Sequence, residues 1–188
     1  VVEITVQHVG QGGGEGPGAP RVAERALVAR SVDGLDGLLE EKYSRFKYGI
    51  VIARKLDDDI IDLIEKGPTQ DYFDCYHAIN SELNETVNRI ATFLNVNNVR
   101  AFPVKATVTD SELDNEFNKT LRFGFSHKMI ATRAGIGWIG KTDLLVTFRF
   151  GPRVRLASVL VEDRISDPGT GIDHSFCGNC NLCVSKCP

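Results

Sequence analysis

The sequence predicts an α+β fold, on three observations. Helical periodicities and β-branched runs alternate irregularly, without the repeated strand–helix–strand rhythm of a parallel sheet. Asp71 to Leu94 carries Tyr72, Tyr76, Leu83, Val87, Ile90 and Leu94 at spacings that line one face of a long helix. YGIVIARKL and VRLASVLVE are β-branched, apolar and short, as buried strands are. A chain of 188 residues buries roughly 70% of its unfolded surface, so the main core needs neither disulfides nor metal.

Taken in order, VEITVQHV alternates apolar and polar residues as a strand does, and QGGGEGPGAP ends it. Gly14, Gly16 and Ala19 meet a loose dinucleotide pattern, but Pro20 follows at once and the tract reads as a loop. Arg21 to Tyr43 favours helix, broken near Gly34 and Gly37, and YGIVIARKL is a buried strand. Asp57 to Lys66 is a short helix opened by acids and stopped by Gly67-Pro68. Cys75 lies in the first turns of the long helix, where a small apolar packing role suits it. VRAFPVKAT is a strand that Pro103 places at an edge. Leu113 to Leu121 is helical, and a second helix starts at Ser126 with SHKMIATRA. LLVTFRF and VRLASVLVE, joined by Gly151-Pro152, would form a hairpin, with Arg153 and Arg155 on its solvent face. The expected organisation is an unplaced segment 1–44, an α+β body 45–170 and a cysteine segment 171–188.

Composition narrows the function classes. Hydrophobic residues at 42% and charged residues at 25% belong to a globular chain. A formal charge of −3 leaves no broad basic footprint, so nucleic acid is not the expected partner. No apolar run approaches the roughly 18 residues that cross a bilayer, and the opening VVEITVQHVG lacks the layout of a signal peptide. The first residue is not Met, so an upstream segment is expected to have been removed or left out. Four of the five cysteines crowd into the last dozen residues, which favours metal in a reducing, cytoplasmic setting over a disulfide scaffold.

GIGWIGKT, residues 135–142, spells a phosphate-binding loop but stands in the wrong context. FSHKMIATRA before it favours helix and DLLVTFRF after it favours strand, whereas a phosphate loop needs a helix N-terminus after the glycines. The glycines instead fit a helix C-cap at Gly135 and a tight turn, or close approach to something flat. The tail is more specific. Cys177, Cys180, Cys183 and Cys187, followed by Pro188, give C-x₂-C-x₂-C-x₃-C-P, the bacterial run for a [4Fe–4S] cluster. Zinc is the alternative, though it more often pairs two C-x₂-C knuckles across a longer gap. Cys187 either closes a single cluster or serves a second one whose ligands lie beyond Pro188.

With RAGIGWIGKTDLLVTFRFGPRVRLASVLVE and CGNCNLCVSKCP both in view, the chain resembles the epoxyqueuosine reductases and their relatives, the corrinoid-dependent reductive dehalogenases. DYFDCYHAINSEL echoes an upstream helix of that family, and the resemblance runs over about residues 45–188. It implies a corrinoid-binding domain of nitroreductase-like fold followed by a ferredoxin-type cluster module. Cobalamin is the implied second cofactor, with Gly135, Gly137, Trp138, Gly140 and Lys141 beside it. A redox partner protein or a small-molecule substrate is the implied partner. The family's catalytic Asp has no counterpart, because Leu121 stands at its position, and His127 stands where the family has Glu. His127 and Asp110 are therefore the candidate replacement acids, and the chain reads as a divergent paralogue that does not modify tRNA. Two functions follow: an oxidoreductase passing electrons from a cluster to a bound corrinoid, or an electron-transfer protein of the same fold that has lost catalysis.

Overall fold

The computed structural model describes residues 27–35, 37, 39–108, 119, 124–164 and 168–186. The expected first strand, the glycine-rich tract, the helix around residue 117, Asp110 and Cys187 lie outside the described residues. The centre of the fold is a four-stranded antiparallel sheet in the order β1–β2–β6–β3. These strands are β1 (Leu27–Val32), β2 (Tyr48–Lys55), β3 (Ala101–Val104) and β6 (Val154–Val161).

β2 and β6 sit in the middle because their side chains are apolar on both faces, and a strand so patterned must be covered on both sides. Ile50, Ile52, Ala157, Val159 and Val161 meet the helix α2 (Gln70–Val96). Val51, Ala53 and Leu160 meet the helix α3 (His127–Arg133) and the two-stranded β4 (Gly137–Ile139) and β5 (Leu145–Thr147). The result is three layers with two apolar cores, one on each face of the sheet. β3 is the edge strand that Pro103 predicts. α2 buries Ile79, Leu83, Val87 and Ala91 at helical spacing and is capped by Thr69, whose hydroxyl accepts from the Tyr72 amide. Cys75 packs at the rim of the same core. A short helix α1 (Asp58–Asp62) runs into a 3₁₀ turn that ends at Gly67.

Three expectations are corrected. Part of the helix expected over residues 21–43 is the strand β1, because Leu27–Val32 finds a partner in β2 from Leu27↔Arg54 to Val32↔Gly49. Pairing overrides local propensity there, and the sheet begins inside the segment that the sequence left unplaced. The hairpin expected between LLVTFRF and VRLASVLVE does not form. β5 pairs with β4, and β6 pairs with β2 and β3. β5 ends early because the Thr147 hydroxyl donates to Gly151 O at 3.1 Å and accepts from the Phe150 amide at 2.9 Å, closing a loop. Lastly, Arg155 does not point to solvent, and Arg153, though partly exposed, is held in surface ion pairs. Arg153 bonds Asp58 at 3.1 Å and Asp62 at 2.6 Å. Arg155 donates to Asn80 Oδ1 at 3.0 Å and stacks over the Tyr76 ring at 4.4 Å, under α2.

Candidate functional site

The glycine loop and the cysteine loop meet in space, and the local physics of residues 126–147 explains how. Ser126 caps α3, its hydroxyl accepting from the Met129 amide at 3.3 Å. The helix stops at Gly135, whose φ of +71° suits glycine. There the Gly135 amide bonds Thr132 O and the Ile136 amide bonds Ala131 O, both at 3.0 Å, a Schellman closure. The chain turns straight into β4, so helix precedes and strand follows, the order that excludes a phosphate loop. A five-residue turn leads back into β5. The Gly140 amide bonds Leu144 O at 2.8 Å, and the Lys128 ammonium donates to Asp143 O at 2.7 Å and Oδ2 at 2.8 Å.

The glycines make room for the chain itself. A Cβ at Gly137 would stand 2.0 Å from Val146 O, one at Gly135 2.3 Å from Thr170 O, and one at Gly140 2.9 Å from Val146 Cγ2. Gly169 repeats the pattern from the other side, its Cβ position lying 2.0 Å from Ala134 O. The segment from Gly169 to Ile172 is thereby laid along the end of α3, with the Ile172 amide on Thr132 O at 2.9 Å and the Gly169 amide on Ser31 O at 3.1 Å. This docking carries the tail to the outer face of the β4–β5 pair.

There Trp138 and Lys141 reach the cysteines. The Trp138 indole N–H donates to Cys177 Sγ at 3.5 Å. The ring packs on Phe148 and Phe176, both with centroids at 5.2 Å. Lys141 Nζ donates to Gly178 O at 2.9 Å, Cys180 O at 2.8 Å and Asn181 Oδ1 at 2.7 Å. Within the cysteine loop the Cys180 amide closes a turn on Cys177 O at 2.9 Å, Gly178 takes a φ of +49°, and Cys183 lies on the short helix α4 (Leu182–Lys186). Hydrogen bonds from Ser175 and Trp138, then the Lys141 backbone amide, hold the Cys177 thiol below its ordinary range. Phe148, Phe176, Ser175 and Asn181 were not identified from sequence. Their only signal was adjacency to the two motifs.

His127 sits elsewhere, on the sheet face of α3. Nε2 is 2.8 Å from Lys105 O and Nδ1 is 2.9 Å from the hydroxyl of Ser158, which is fully buried. A carbonyl only accepts, so Nε2 carries the proton and Nδ1 accepts from Ser158. Burial lowers its pKa to about 4, outweighing the opposing bond to Lys105 O, and the Arg155 charge lowers it further. The ring is neutral at pH 7 and ties α3 to β6 and to the end of β3. It borders a cleft of about 330 Å³ with Tyr43, Phe102, Lys105, Thr107 and Phe125. On the opposite sheet face Tyr76 is held below its usual range, by the Thr107 hydroxyl first and the Arg155 charge second.

The donor set of the cysteine loop suits an iron–sulfur cluster. Cys177, Cys180 and Cys183 are free thiols within one short loop, and N–H donors already approach one sulfur. Among the described residues no three ligating groups converge on one point. A corrinoid is matched less well. A cleft of about 330 Å³ lies at the lower end of small-ligand sites, and the Cβ directions of Gly135, Gly137 and Gly140 face the chain's own atoms. Close approach of the chain to itself thus accounts for those three glycines. Among the described residues no helix is long and apolar enough to cross a membrane.

No family model matches the chain. The epoxyqueuosine reductase of Listeria monocytogenes serovar 1/2a is 33% identical over 113 residues, 60% of this chain and 25% of that protein. The tetrachloroethene reductive dehalogenase of Desulfitobacterium hafniense is 31% identical over 150 residues, 79% of this chain and 24% of that protein. The chain thus spans about a quarter of the length of these curated relatives. A solved epoxyqueuosine reductase, crystallised with an epoxyqueuosine-modified tRNA-Tyr stem loop, shares the fold with a TM-score of 0.51 at 17% identity, covering 85% of this chain and 47% of that one. The chain is similar to both groups of oxidoreductases, as the glycine loop and cysteine run imply.

Proposed function

We propose that this chain is the part of an iron–sulfur oxidoreductase in which Cys177, Cys180 and Cys183, with Cys187 or a later ligand, hold a [4Fe–4S] cluster against the glycine loop. The observation that carries this reading is the three-cysteine loop anchored on Trp138 and Lys141, the one place where both sequence motifs meet. A cluster held there supplies transfer of single electrons. The chain's own residues stack Trp138, Phe148 and Phe176 beside the loop and leave Cys180 and Cys183 exposed. Exposed Phe148, Phe176, Leu182 and Val184 give an apolar rim suited to a redox partner protein. Free thiols match a reducing cytoplasm. A nitroreductase-like body that includes β1 and runs to residue 170, and a ferredoxin-type segment from residue 171, are parts of the same proposal.

Cobalamin comes from the resemblance alone, and no step of the reading passes through it. The tRNA stem loop of the solved relative is carried over only as an alternative substrate class, and the formal charge of −3 favours a small molecule instead. One observation favours the second function, electron transfer without catalysis: both ring nitrogens of His127 are engaged, so the residue at the family's acid position is not set up to give a proton.

The test is full-length protein purified without oxygen and assayed for iron, sulfide, zinc and cobalt. Iron and sulfide near four per cluster, with broad visible absorption, are expected. Stoichiometric zinc without that absorption overturns the reading. A spectral change on adding cobalamin selects the enzyme over the carrier, and retention of a tRNA stem loop reassigns the substrate to nucleic acid.

A further inference from the structure

We infer that Trp138 and Lys141 are positioning residues for the cysteine loop: they clamp residues 177–181 onto the β4–β5 pair and raise the reduction potential of whatever iron–sulfur cluster those cysteines hold. This rests on the iron–sulfur reading above and assigns the two residues to the cluster rather than to a macrocycle.

Lys141 has three ammonium protons, and the structure supplies three acceptors within 2.9 Å: Gly178 O, Cys180 O and Asn181 Oδ1. All three are neutral oxygens, so none of these acceptors neutralises the charge that Lys141 holds beside the cysteine loop. A cation in that place favours the more negative, reduced state of the cluster. The Trp138 N–H adds a hydrogen bond to Cys177 Sγ, which acts in the same direction. These contacts span 37 to 40 residues of chain. The docked segment and the three-ring stack of Trp138, Phe148 and Phe176 bring the partners together, and the clamp fixes their register. Its glycine turn explains the spacing of GIGWIGK: Trp138 points outward because Gly137 lies against Val146, and Lys141 follows at the tip of the turn.

The substitutions Trp138→Phe, Lys141→Met and Lys141→Arg in the full-length protein separate the contributions. Trp138→Phe removes the N–H and keeps the ring. Lys141→Met removes charge and donors and keeps the stem, whereas Lys141→Arg keeps the charge. In spectroelectrochemical titration, Trp138→Phe and Lys141→Met are expected to shift the midpoint to more negative values, with Lys141→Arg restoring most of the Lys141→Met shift. Iron release to a chelator is expected to be several-fold faster in Lys141→Met. Midpoints and release rates equal to those of the unsubstituted protein overturn the inference. Hydrogen exchange of metal-free protein gives a readout independent of the cluster: amides of residues 177–181 should exchange several-fold faster in Lys141→Met, while those of β2 and β6 do not change. Equal exchange in residues 177–181 refutes the clamp even if the cluster proves to be zinc. In a zinc-holding protein, faster exchange upholds the clamp, while the zinc refutes the iron–sulfur reading and with it the effect on reduction potential.

Discussion

At His127, burial and two hydrogen bonds fix one neutral tautomer, and the consequence is a pH dependence with a definite sign. Its folded pKa of about 4 lies below the ordinary 6.5, so the unfolded chain binds the proton first. Stability contributed by the neutral ring is complete above pH 6.5 and declines as pH falls toward 4, by at most about 3 kcal/mol and less where the Nε2 edge meets water. Urea titrations at pH 7 and pH 4.5 should show this loss, and His127→Gln should flatten the difference while lowering stability at both. An unchanged pH slope in His127→Gln would remove the ring from that account. Sequence alone offered His127 as a candidate replacement acid. Its engaged state depends on Ser158 and the carbonyl of Lys105, residues 31 and 22 positions away.

The stretch from Gly135 through β4 and β5 concentrates several requirements. Gly135 closes α3 with positive φ, Gly137 allows the strand to lie against Val146, and the turn at Gly140 presents Lys141. Gly137→Ala should cost about 1–3 kcal/mol through overpacking, because the added methyl would meet backbone at 2.0 Å, which cannot rotate away. Thermal unfolding measures the cost, and tryptophan fluorescence should show Trp138 leaving Phe176. Unaltered stability would mean that the strand pair shifts freely. The helix-before, strand-after order was legible from residue types, and so was the glycine requirement. Its cause was not legible: the close neighbours are Thr170 and Val146, and only the first of these lies far along the chain.

For the whole molecule, the two apolar cores flank one sheet, and among the described residues the buried apolar ones end at Val161. Among the described residues the cysteine segment is attached to this body by hydrogen bonds, ring contacts and the close packing of Gly169 on Ala134. Chelation of bound metal should therefore leave the far-UV circular dichroism and the main unfolding transition nearly unchanged, unlike a small zinc domain that folds only around its ion. Cooperative loss of sheet signal on chelation would show that the cluster stabilises the body. The sequence by itself determined the mixed α and β class, the buried central strands, the long helix α2, the edge position of Pro103 and the thiolate run, because each is written in local periodicity or fixed spacing. Strand order, the pairing of β1 where helix was expected, the contact of Arg155 with Asn80 and Tyr76 and the contact of Trp138 and Lys141 with the cysteine loop were decided only by tertiary structure. Those features depend on which distant segments share a face, and short-range pattern carries no record of that.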